Sequence, residues 1–250
     1  MARAGRLARW AHPARFALLA GAIATPAMAQ AQAAMCRPRT DFRMPRVETP
    51  GADQVRRTPV TRYLLTYSWS PQHCYQQARR GGGGDDDMQC GGQSGQFGFV
   101  LHGLWPESTG SNWPQYCRPG GAVSRATIQQ NLCMTPSPQL LQHEWQKHGT
   151  CMSASPEDYF RTAAQLHANV RFPDMTALAA RRDVTAGELR RLFSAANTGI
   201  PTAALAIEVT RGGWLDEVRI CLNARYRAQA CPPASRGAND GARLRVTRPN

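Results

Sequence analysis

The chain has 250 residues, of which 42% are hydrophobic and 19% are charged. This composition excludes an acidic disordered protein, a collagen-like chain and a coiled coil. Thirty basic residues outnumber seventeen acidic ones, for a formal net charge of +13, and Lys147 is the only lysine among them. A charge of this sign and size suits a polyanionic partner such as nucleic acid, and equally suits adhesion to a membrane surface.

Residues 1–29 have the order of a secretory signal peptide. Four arginines and no acidic residue precede the apolar run at 16–24, and a small-x-small sequence ends at Ala29. The apolar run is too short to span a bilayer, and no later stretch is long enough. We expect cleavage after Ala29, with Ala31 or Ala33 as alternatives. The mature protein is therefore expected to be exported, periplasmic or extracellular, without stable membrane insertion.

All eight cysteines follow this segment. An even number of cysteines in an exported chain favours disulfides over metal or redox chemistry, and no C-x-x-C pair is present. Sequence alone leaves many connectivities open. Proximity along the chain favours Cys74–Cys90 and Cys221–Cys231.

The middle of the chain contains two predicted strands. Residues 30–60 are rich in Pro and Arg, and we expect an irregular lead-in. Residues 62–69 alternate large apolar side chains on one face, which indicates a strand. The Gly- and Asp-rich residues 79–95 indicate a solvated loop rather than a cation site. Residues 96–105 predict a second strand, which Pro106 is expected to end.

The rest of the chain mixes helices and strands. Residues 139–148 have helical character, Ser155 caps a helix that begins at Pro156, and Thr185 opens another that ends near Ala196. Residues 205–209 and 215–222 predict a hairpin. Because the order is not a regular βαβ alternation, we predict a single-domain α+β fold with a central antiparallel sheet flanked by helices. That domain spans 61–232 and is followed by a polar C-terminal tail, 233–250, which is expected to be loose from Ser235 on.

Two short segments concentrate ionisable residues. The first is HGLWPE at 102–107, and the second is HEWQKHGTC at 143–151. With about 100° of rotation per helical residue, Lys147, Glu144 and His148 fall about 40°, 100° and 140° from His143. The four side chains therefore share one broad face. That convergence is not typical of an ordinary surface helix.

A zinc site is the main alternative for the second segment. Zinc-binding helices use H-E-x-x-H, whereas the two histidines here are one residue further apart. Their imidazoles diverge by about 140° around the helix, and Lys147 between them would repel a metal ion. We expect no metal and no cofactor.

Cleavage of RNA fits these residue types. The ribose 2′-OH can attack the adjacent phosphate if one imidazole removes its proton and another protonates the departing 5′-oxygen. Histidine serves both roles because its ordinary pKa is about 6.5. A lysine ammonium can stabilise the charge that gathers on the phosphate oxygens.

The two motifs resemble the active-site segments of the ribonuclease T2 family, secreted acid endoribonucleases with little base specificity. The motifs occur in the family's order, and the sequence Tyr-Ser-Trp-Ser-Pro before Cys74 resembles the family's early strand. The resemblance covers roughly residues 60 to 231. It implies metal-independent cleavage of single-stranded RNA to a 2′,3′-cyclic phosphate, followed by hydrolysis to a 3′-phosphate.

The same resemblance assigns roles to the motif residues. It implies that His102 is the general acid, that His148 is the general base and that His143 binds the scissile phosphate. The assignment of acid and base is interchangeable, since the two exchange roles in the second step. Glu144 and Lys147 would stabilise the transition state.

The resemblance also points to a base site and to further disulfides. Trp105 and Glu107 occupy positions that resemble the first base site, where an aromatic face stacks a base and a carboxylate accepts its amine. Trp113 is a candidate stacking partner or simply a packed loop residue. In the family, a cysteine after the first motif pairs with the one that ends the second, which implies Cys117–Cys151. Cys36 and Cys133 are then left by elimination.

Three function classes follow. The first is an exported endoribonuclease, which we expect to be a monomer with RNA as its partner. The second is a cationic RNA-binding or cytotoxic module without catalysis, which would not need both histidines and the lysine. The third is a metallohydrolase, whose activity would be lost in EDTA.

Overall fold

The computed structural model describes Met1 and residues 36–82, 87–110 and 112–249. Apart from Met1, the predicted signal segment lies outside the described residues, as do Asp85 and Asp86 of the acidic loop. In the described ranges the strands are β1 (Arg62–Trp69), β2 (Phe99–Glu107), β3 (Leu205–Val209) and β4 (Leu215–Asn223). The helices there are α1 (Ser70–Arg79), α2 (Asp87–Cys90), α3 (Arg125–Asn131), α4 (Pro138–Lys147), α5 (Pro156–Ala168), α6 (Met175–Ala179) and α7 (Ala186–Ala196). No helix in the described part of the chain is long and apolar enough to span a membrane.

The strands form one antiparallel sheet in the order β2-β1-β4-β3. The predicted alternation of β1 is confirmed, because Leu65, Tyr67 and Trp69 are each no more than 2% exposed. Helices pack on the sheet through buried side chains such as Trp145 and Phe193. The fold is the predicted single-domain α+β arrangement around an antiparallel sheet.

Each outer strand pair contains one irregularity. In the β1–β2 pair, Thr66 lies opposite Gly103 and Tyr67 opposite Leu101, so His102 is an extra residue without a partner in β1. In the β3–β4 pair the extra residue is Asp216. A bulge bends its strand and changes the direction in which its side chains point. The bulge in β2 therefore sets the orientation of the first motif's histidine.

Strand β2 differs in extent from its prediction. It begins at Phe99 and continues through Pro106 to Glu107, with Pro106 opposite Tyr63. The expectation that Pro106 ends the strand is wrong. Proline cannot donate a ladder hydrogen bond, but β2 lies at the edge of the sheet, where one strand side has no partner strand and proline is tolerated.

Helix starts follow the predicted caps. The side chain of Ser155 accepts a hydrogen bond from the Asp158 amide at the start of α5, and Thr185 accepts one from the Glu188 amide at the start of α7. Each satisfies an amide that the first helical turn leaves unpaired. Helix α7 ends at Ala196, as expected.

The loop predicted at 79–95 is partly ordered against the core. Its second half contains α2, where Met88 is 5% and Gln89 is 7% exposed. The Gln89 amide donates a 2.8 Å hydrogen bond to the hydroxyl of Ser70 at the start of α1. The expectation of a fully solvated loop is therefore wrong for residues 88 and 89.

The C-terminal residues are not loose. Leu244 is 2% and Val246 is 8% exposed, and the Leu244 amide donates a 2.8 Å hydrogen bond to the Val184 carbonyl. The indole of Trp69 donates a 2.9 Å hydrogen bond to the Thr247 carbonyl. Although this segment is polar overall, Leu244 and Val246 alternate with arginines and fill the edge of the core, which overturns the expectation of a loose tail.

Four disulfides are present, and no free cysteine is found in the described residues. Cys74–Cys90 and Cys221–Cys231 confirm the pairs favoured by proximity. Cys117–Cys151 is the pair implied by the family resemblance, and Cys36–Cys133 is the pair left by elimination. The Cys117–Cys151 bond joins the loop after β2 to the turn that follows α4, and so links the chain beyond the first motif to the second motif.

Candidate active site

His102 projects from the bulge in β2 and contacts a carboxylate of β4. Its Nδ1–H donates a 2.6 Å hydrogen bond to Oε1 of Glu217, and the Ser68 hydroxyl lies 3.2 Å from the same nitrogen. Burial alone would lower the pKa of His102, but the hydrogen bond and charge of Glu217 and the charge of Glu144 outweigh it, so this pKa is raised. The imidazole therefore favours its protonated form.

Glu217 is itself held in place by an arginine. The guanidinium of Arg219 lies 2.7 Å and 3.0 Å from Oε2 of Glu217, and 3.3 Å from a carboxylate oxygen of Glu208. Burial raises the pKa of Glu217, but His102 and Arg219 outweigh burial and lower it overall. Glu217 thus remains a carboxylate next to His102.

Glu144 lies inside the protein, between the two motifs. It is 2% exposed, and its Oε2 accepts a 2.8 Å hydrogen bond from the indole of Trp105. Its Oε1 lies 3.7 Å from Nε2 of His102 and has no hydrogen-bond partner among the described residues. Burial is the main reason that the pKa of Glu144 is raised.

Glycine at position 103 makes this approach possible. A Cβ on Gly103 would lie 1.9 Å from Oε2 of Glu144 and 2.6 Å from the indole nitrogen of Trp105. Any side chain there would displace the carboxylate from the strand. The second residue of HGLWPE is therefore fixed by packing of the site.

His148 lies just beyond α4, in a different environment from His102. It is 5% exposed, and its ring stacks on Trp105 with 5.3 Å between centroids and 22° between planes. Nδ1 of His148 has no hydrogen-bond partner in the described part of the chain. Burial, then the nearby charges of Lys147, His143 and His102, hold the pKa of His148 well below its ordinary value. The ring is therefore neutral.

His143 binds a residue of the lead-in. Its Nδ1 lies 2.7 Å from Oε1 of Glu48, whose other oxygen accepts a 2.9 Å hydrogen bond from the hydroxyl of Tyr116. The side chain of Gln146 accepts a 2.7 Å hydrogen bond from the main-chain N–H of Glu48 and donates one of 2.9 Å to the main-chain carbonyl of Glu48. The irregular lead-in is thus part of the site.

Lys147 is the last residue of α4 and is partly buried. A cation is favoured at a helix C-terminus, where carbonyl groups are left unpaired. Its charge helps to lower the pKa of His148 and offsets part of the rise that burial causes in the pKa of Glu144. The predicted common face is therefore divided: Glu144 and His148 are buried, whereas His143 and Lys147 are partly exposed.

The three predicted base-site residues have different surroundings. Trp105 lies between the candidate residues His102 and Glu144, with its ring 5.0 Å from that of His102 and the guanidinium of Arg219 5.4 Å from its centroid. Glu107 faces Arg62 at 3.9 Å, and burial raises its pKa. Trp113 is 39% exposed and packs against the lead-in, with the guanidinium of Arg56 4.8 Å from its ring.

Four residues of the site were missed by sequence reasoning. They are Glu48, Ser68, Glu217 and Arg219. Glu217 and Arg219 carried a signal, since they alternate with apolar residues in β4 and so share a face with each other. Ser68 carried the same signal in β1. The Pro- and Arg-rich sequence around Glu48 contained none.

No group of three or more His, Cys, Asp and Glu residues placed to hold a metal ion is found in residues 36–82, 87–110 and 112–249. His143 and His148 have separate partners, Glu48 and the ring of Trp105. The two histidines of the second motif therefore contact different side chains and do not converge on one point.

Several known proteins are similar to this chain in sequence or in fold. The model of the ribonuclease T2 family matches residues 60–231. A ribonuclease of Aeromonas hydrophila is 35% identical over 170 residues, which cover 64% of this chain and 71% of that protein. A probable ribonuclease of Haemophilus influenzae is 34% identical over 129 residues, covering 48% of this chain and 47% of that protein. The chain thus spans about half of the Haemophilus protein.

Two solved structures share the fold at lower identity. Trichomaglin, described as an S-like ribonuclease, has a TM-score of 0.60 at 18% identity, covering 76% of this chain and 98% of its own. RNase NT, solved in complex with 5′-AMP, has a TM-score of 0.56 at 20% identity, and the match covers 77% of this chain and 100% of RNase NT. The family match over residues 60–231 and the similarity to the Aeromonas ribonuclease establish that this chain belongs to the ribonuclease T2 family.

Proposed function

We propose that this protein is an exported, metal-independent endoribonuclease that cleaves single-stranded RNA with little base specificity. It forms a 2′,3′-cyclic phosphate and then hydrolyses it to a 3′-phosphate. The observation that carries the proposal is the placement of two histidines against the ring of Trp105, one beside two carboxylates and the other next to Lys147. His102 lies against carboxylates and its pKa is raised, whereas His148 lies near cations and its pKa is lowered.

In the first step, neutral His148 removes the proton from the ribose 2′-OH. The 2′-oxygen bonds to the adjacent phosphorus, and the bond between phosphorus and the 5′-oxygen breaks. Protonated His102 gives its proton to that leaving oxygen through Nε2, because its Nδ1–H is engaged by Glu217. The step leaves His148 charged and His102 neutral, so the proton count balances.

The second step reverses these roles. His102, now neutral, takes a proton from water, whose oxygen bonds to phosphorus as the bond to the 2′-oxygen breaks. His148 returns its proton to the 2′-oxygen. Both histidines end in the protonation states in which the cycle began.

The remaining motif residues act on the phosphate oxygens. Lys147 supplies positive charge where the transition state gathers negative charge, and His143 binds the scissile phosphate. Glu144, whose charge helps to raise the pKa of His102, stabilises the transition state by keeping that imidazole protonated. Trp105 orients Glu144 through its indole and supports the ring of His148. Glu107 and Trp113 are the candidates for contact with a base.

Export is supported by the signal-like sequence of residues 1–29 and by four disulfides, which form in oxidising compartments. N-terminal sequencing of the protein recovered from the periplasm and the medium tests the cleavage site. A chain that retains residues 1–29 in the cytoplasm contradicts this part of the proposal.

The reaction is tested by digestion of a defined oligoribonucleotide with oxidised protein in EDTA at mildly acidic pH. Mass analysis is expected to show ends with 2′,3′-cyclic phosphate that convert slowly to 3′-phosphate. The matched control is the same oligonucleotide with the 2′-OH of the target nucleotide replaced by hydrogen, which should resist cleavage. Cleavage that needs added zinc or magnesium would contradict metal independence, and binding without cleavage would favour a non-catalytic module.

A further inference from the structure

A groove of about 500 Å³ lies between the C-terminal segment, the end of α6 and the turn before β4. Its lining includes one tryptophan and five arginines: Arg181, Arg182, Trp214, Arg243, Arg245 and Arg248. None of these residues belongs to the proposed catalytic set, which is His102, His143, Glu144, Lys147 and His148. Three of the five arginines lie in the segment after residue 231, beyond the part matched by the family.

Most of this positive charge is not neutralised by ion pairs. Arg181 is paired, with Asp183 at 3.0 Å and Glu188 at 2.6 Å. The ion pairs found in the described part of the chain do not include Arg182, Arg243, Arg245 or Arg248. The groove therefore has a net positive charge that suits a polyanion.

The groove also contains an aromatic surface. The indole of Trp214 is partly exposed, and the guanidinium of Arg245 lies 5.6 Å from its ring centroid. Proteins that bind single-stranded nucleic acid combine a positive channel for the backbone with aromatic rings on which bases stack. Arginine serves both purposes, since its planar group binds phosphate and stacks on rings. A concave site of this composition favours nucleic acid over a flat membrane surface.

The arginines are held by a rigid backbone. The Arg245 amide donates a 2.8 Å hydrogen bond to the Gly213 carbonyl, and the Leu215 amide donates one of 2.8 Å to the Arg245 carbonyl. Leu244 and Val246 are buried, so the side chains that alternate with them face outward. Pre-organisation of this kind reduces the entropy lost on binding.

The groove ends at the turn before β4, the strand that carries the partner of His102. Trp214 precedes Glu217 by three residues, which is roughly 10 Å along an extended strand. At its other side, the Thr247 carbonyl accepts a hydrogen bond from Trp69, the neighbour of Ser68. A polynucleotide bound at His102 can therefore continue into the groove.

We propose that this arginine groove binds the backbone of single-stranded RNA beyond the two nucleotides that flank the cleaved bond. The inference rests on the proposed function, because it assumes that RNA is the substrate. It gives the enzyme a preference for long chains over dinucleotides. Recognition is by charge and stacking and so is independent of sequence.

The test compares two triple variants of equal net charge. R182Q/R245Q/R248Q removes charge from the groove. R171Q/R225Q/R227Q removes the same charge from exposed arginines outside the groove. Arg225 and Arg227 follow the C-terminal end of β4, whereas the groove lies before its N-terminal end. A third protein, R182K/R245K/R248K, retains the groove's charge and controls for altered folding.

For each protein, kcat/KM is measured on a dinucleoside monophosphate and on a 20-nucleotide single-stranded RNA. We expect the groove Gln variant to lose about tenfold on the long RNA and nothing on the dinucleotide, because three phosphate contacts are removed. The control variant should lose less than threefold, and the Lys variant should lie between wild type and the Gln variant. Equal losses in the groove Gln variant and its control would overturn the proposal.

Binding of an uncleavable 2′-deoxy oligonucleotide separates this inference from the proposed function. The slope of log affinity against log salt should be shallower by about two in the groove Gln variant than in wild type. This readout does not need catalysis. If wild type binds through the groove but cleaves nothing, the proposed function fails and the groove stands; if cleavage is normal and the slopes are equal, the groove fails alone.

Discussion

His102 and His148 both contact the ring of Trp105, yet their environments differ. The ring of His102 meets Trp105 edge-on at 5.0 Å, and the ring of His148 stacks on it at 5.3 Å. His102 also has Glu217 at 2.6 Å and Glu144 at 3.7 Å, whereas the charges around His148 are positive. Burial lowers the pKa of both. The comparison teaches that neighbouring carboxylates, and not burial, decide which histidine holds the proton.

Removal of either histidine is the largest expected effect. H102A and H148A should each lower kcat by about 10²–10⁴-fold, since each removes one general acid–base group. The measurement is the initial rate on a dinucleoside monophosphate, with thermal unfolding as the control for folding. Activity within tenfold of wild type in a folded variant would contradict the assignment.

A third buried histidine extends the comparison to stability. His167 packs against the rings of Tyr67 and Phe172, and burial lowers its pKa to about 4. Its folded pKa lies below its unfolded value of about 6.5. Neutral His167 therefore contributes to the free energy of unfolding above pH 6.5. That contribution, roughly 3 kcal/mol, is lost as pH falls toward 4.

H167F should remove this contribution while it keeps an aromatic ring in place. Urea unfolding of wild type and H167F at pH 7 and pH 4 measures the difference. The free energy of unfolding should fall less in H167F over this interval. An equal fall in both proteins would show that His167 does not titrate as inferred.

The carboxylate beside His102 supplies the next largest effect. Neutral His148 is lost as pH falls through its lowered pKa, and protonated His102 is lost as pH rises through its raised pKa, so kcat/KM should follow a bell. E217Q lowers the pKa of His102 and should move only the alkaline limb to lower pH. The loss should be several-fold at neutral pH and smaller in acid, because without the carboxylate a smaller fraction of His102 is protonated at neutral pH.

The control for E217Q is E208Q. Glu208 contacts Arg219 at 3.3 Å, as Glu217 does, but it belongs to β3 and is not the partner of His102. E208Q should leave the alkaline limb in place. A pH-independent loss in E217Q would mean that Glu217 only supports the fold.

The smallest effect is expected at the lead-in. E48Q weakens the contact with His143 and should raise KM several-fold with little change in kcat, as expected for a group that positions a phosphate-binding side chain. D53N, at an exposed acid of the same segment, is the matched control. A fall in kcat with an unchanged KM would assign Glu48 to the chemical step instead.

Local patterns predicted local structure well. The alternation of β1 and the capping residues Ser155 and Thr185 each depend on neighbours within a few positions, so they were predicted correctly. The motif residues were found for a similar reason, since each set lies in one short segment. The assignment of their roles came from the family resemblance.

Contacts between distant segments were not predictable in the same way. Glu48 and His143 are 95 residues apart, and His102 and Glu217 are 115 apart. Their pairing is set by strand order and by the course of the lead-in over the surface, which no short pattern encodes. The C-terminal segment was wrongly predicted to be loose because most of its residues are polar. Among its described residues, only Leu244 and Val246 are buried in the core, and two such residues do not form a recognisable pattern.

The strand order β2-β1-β4-β3 has a consequence for synthesis of the chain. The first strand lies in the interior of the sheet, and its neighbour β4 ends at Asn223, so both histidines are made long before the sheet can close. A nascent chain that stops before β4 has His102 without Glu217. A prematurely terminated product therefore lacks both the strand that joins β1 to β3 and the carboxylate that raises the pKa of His102.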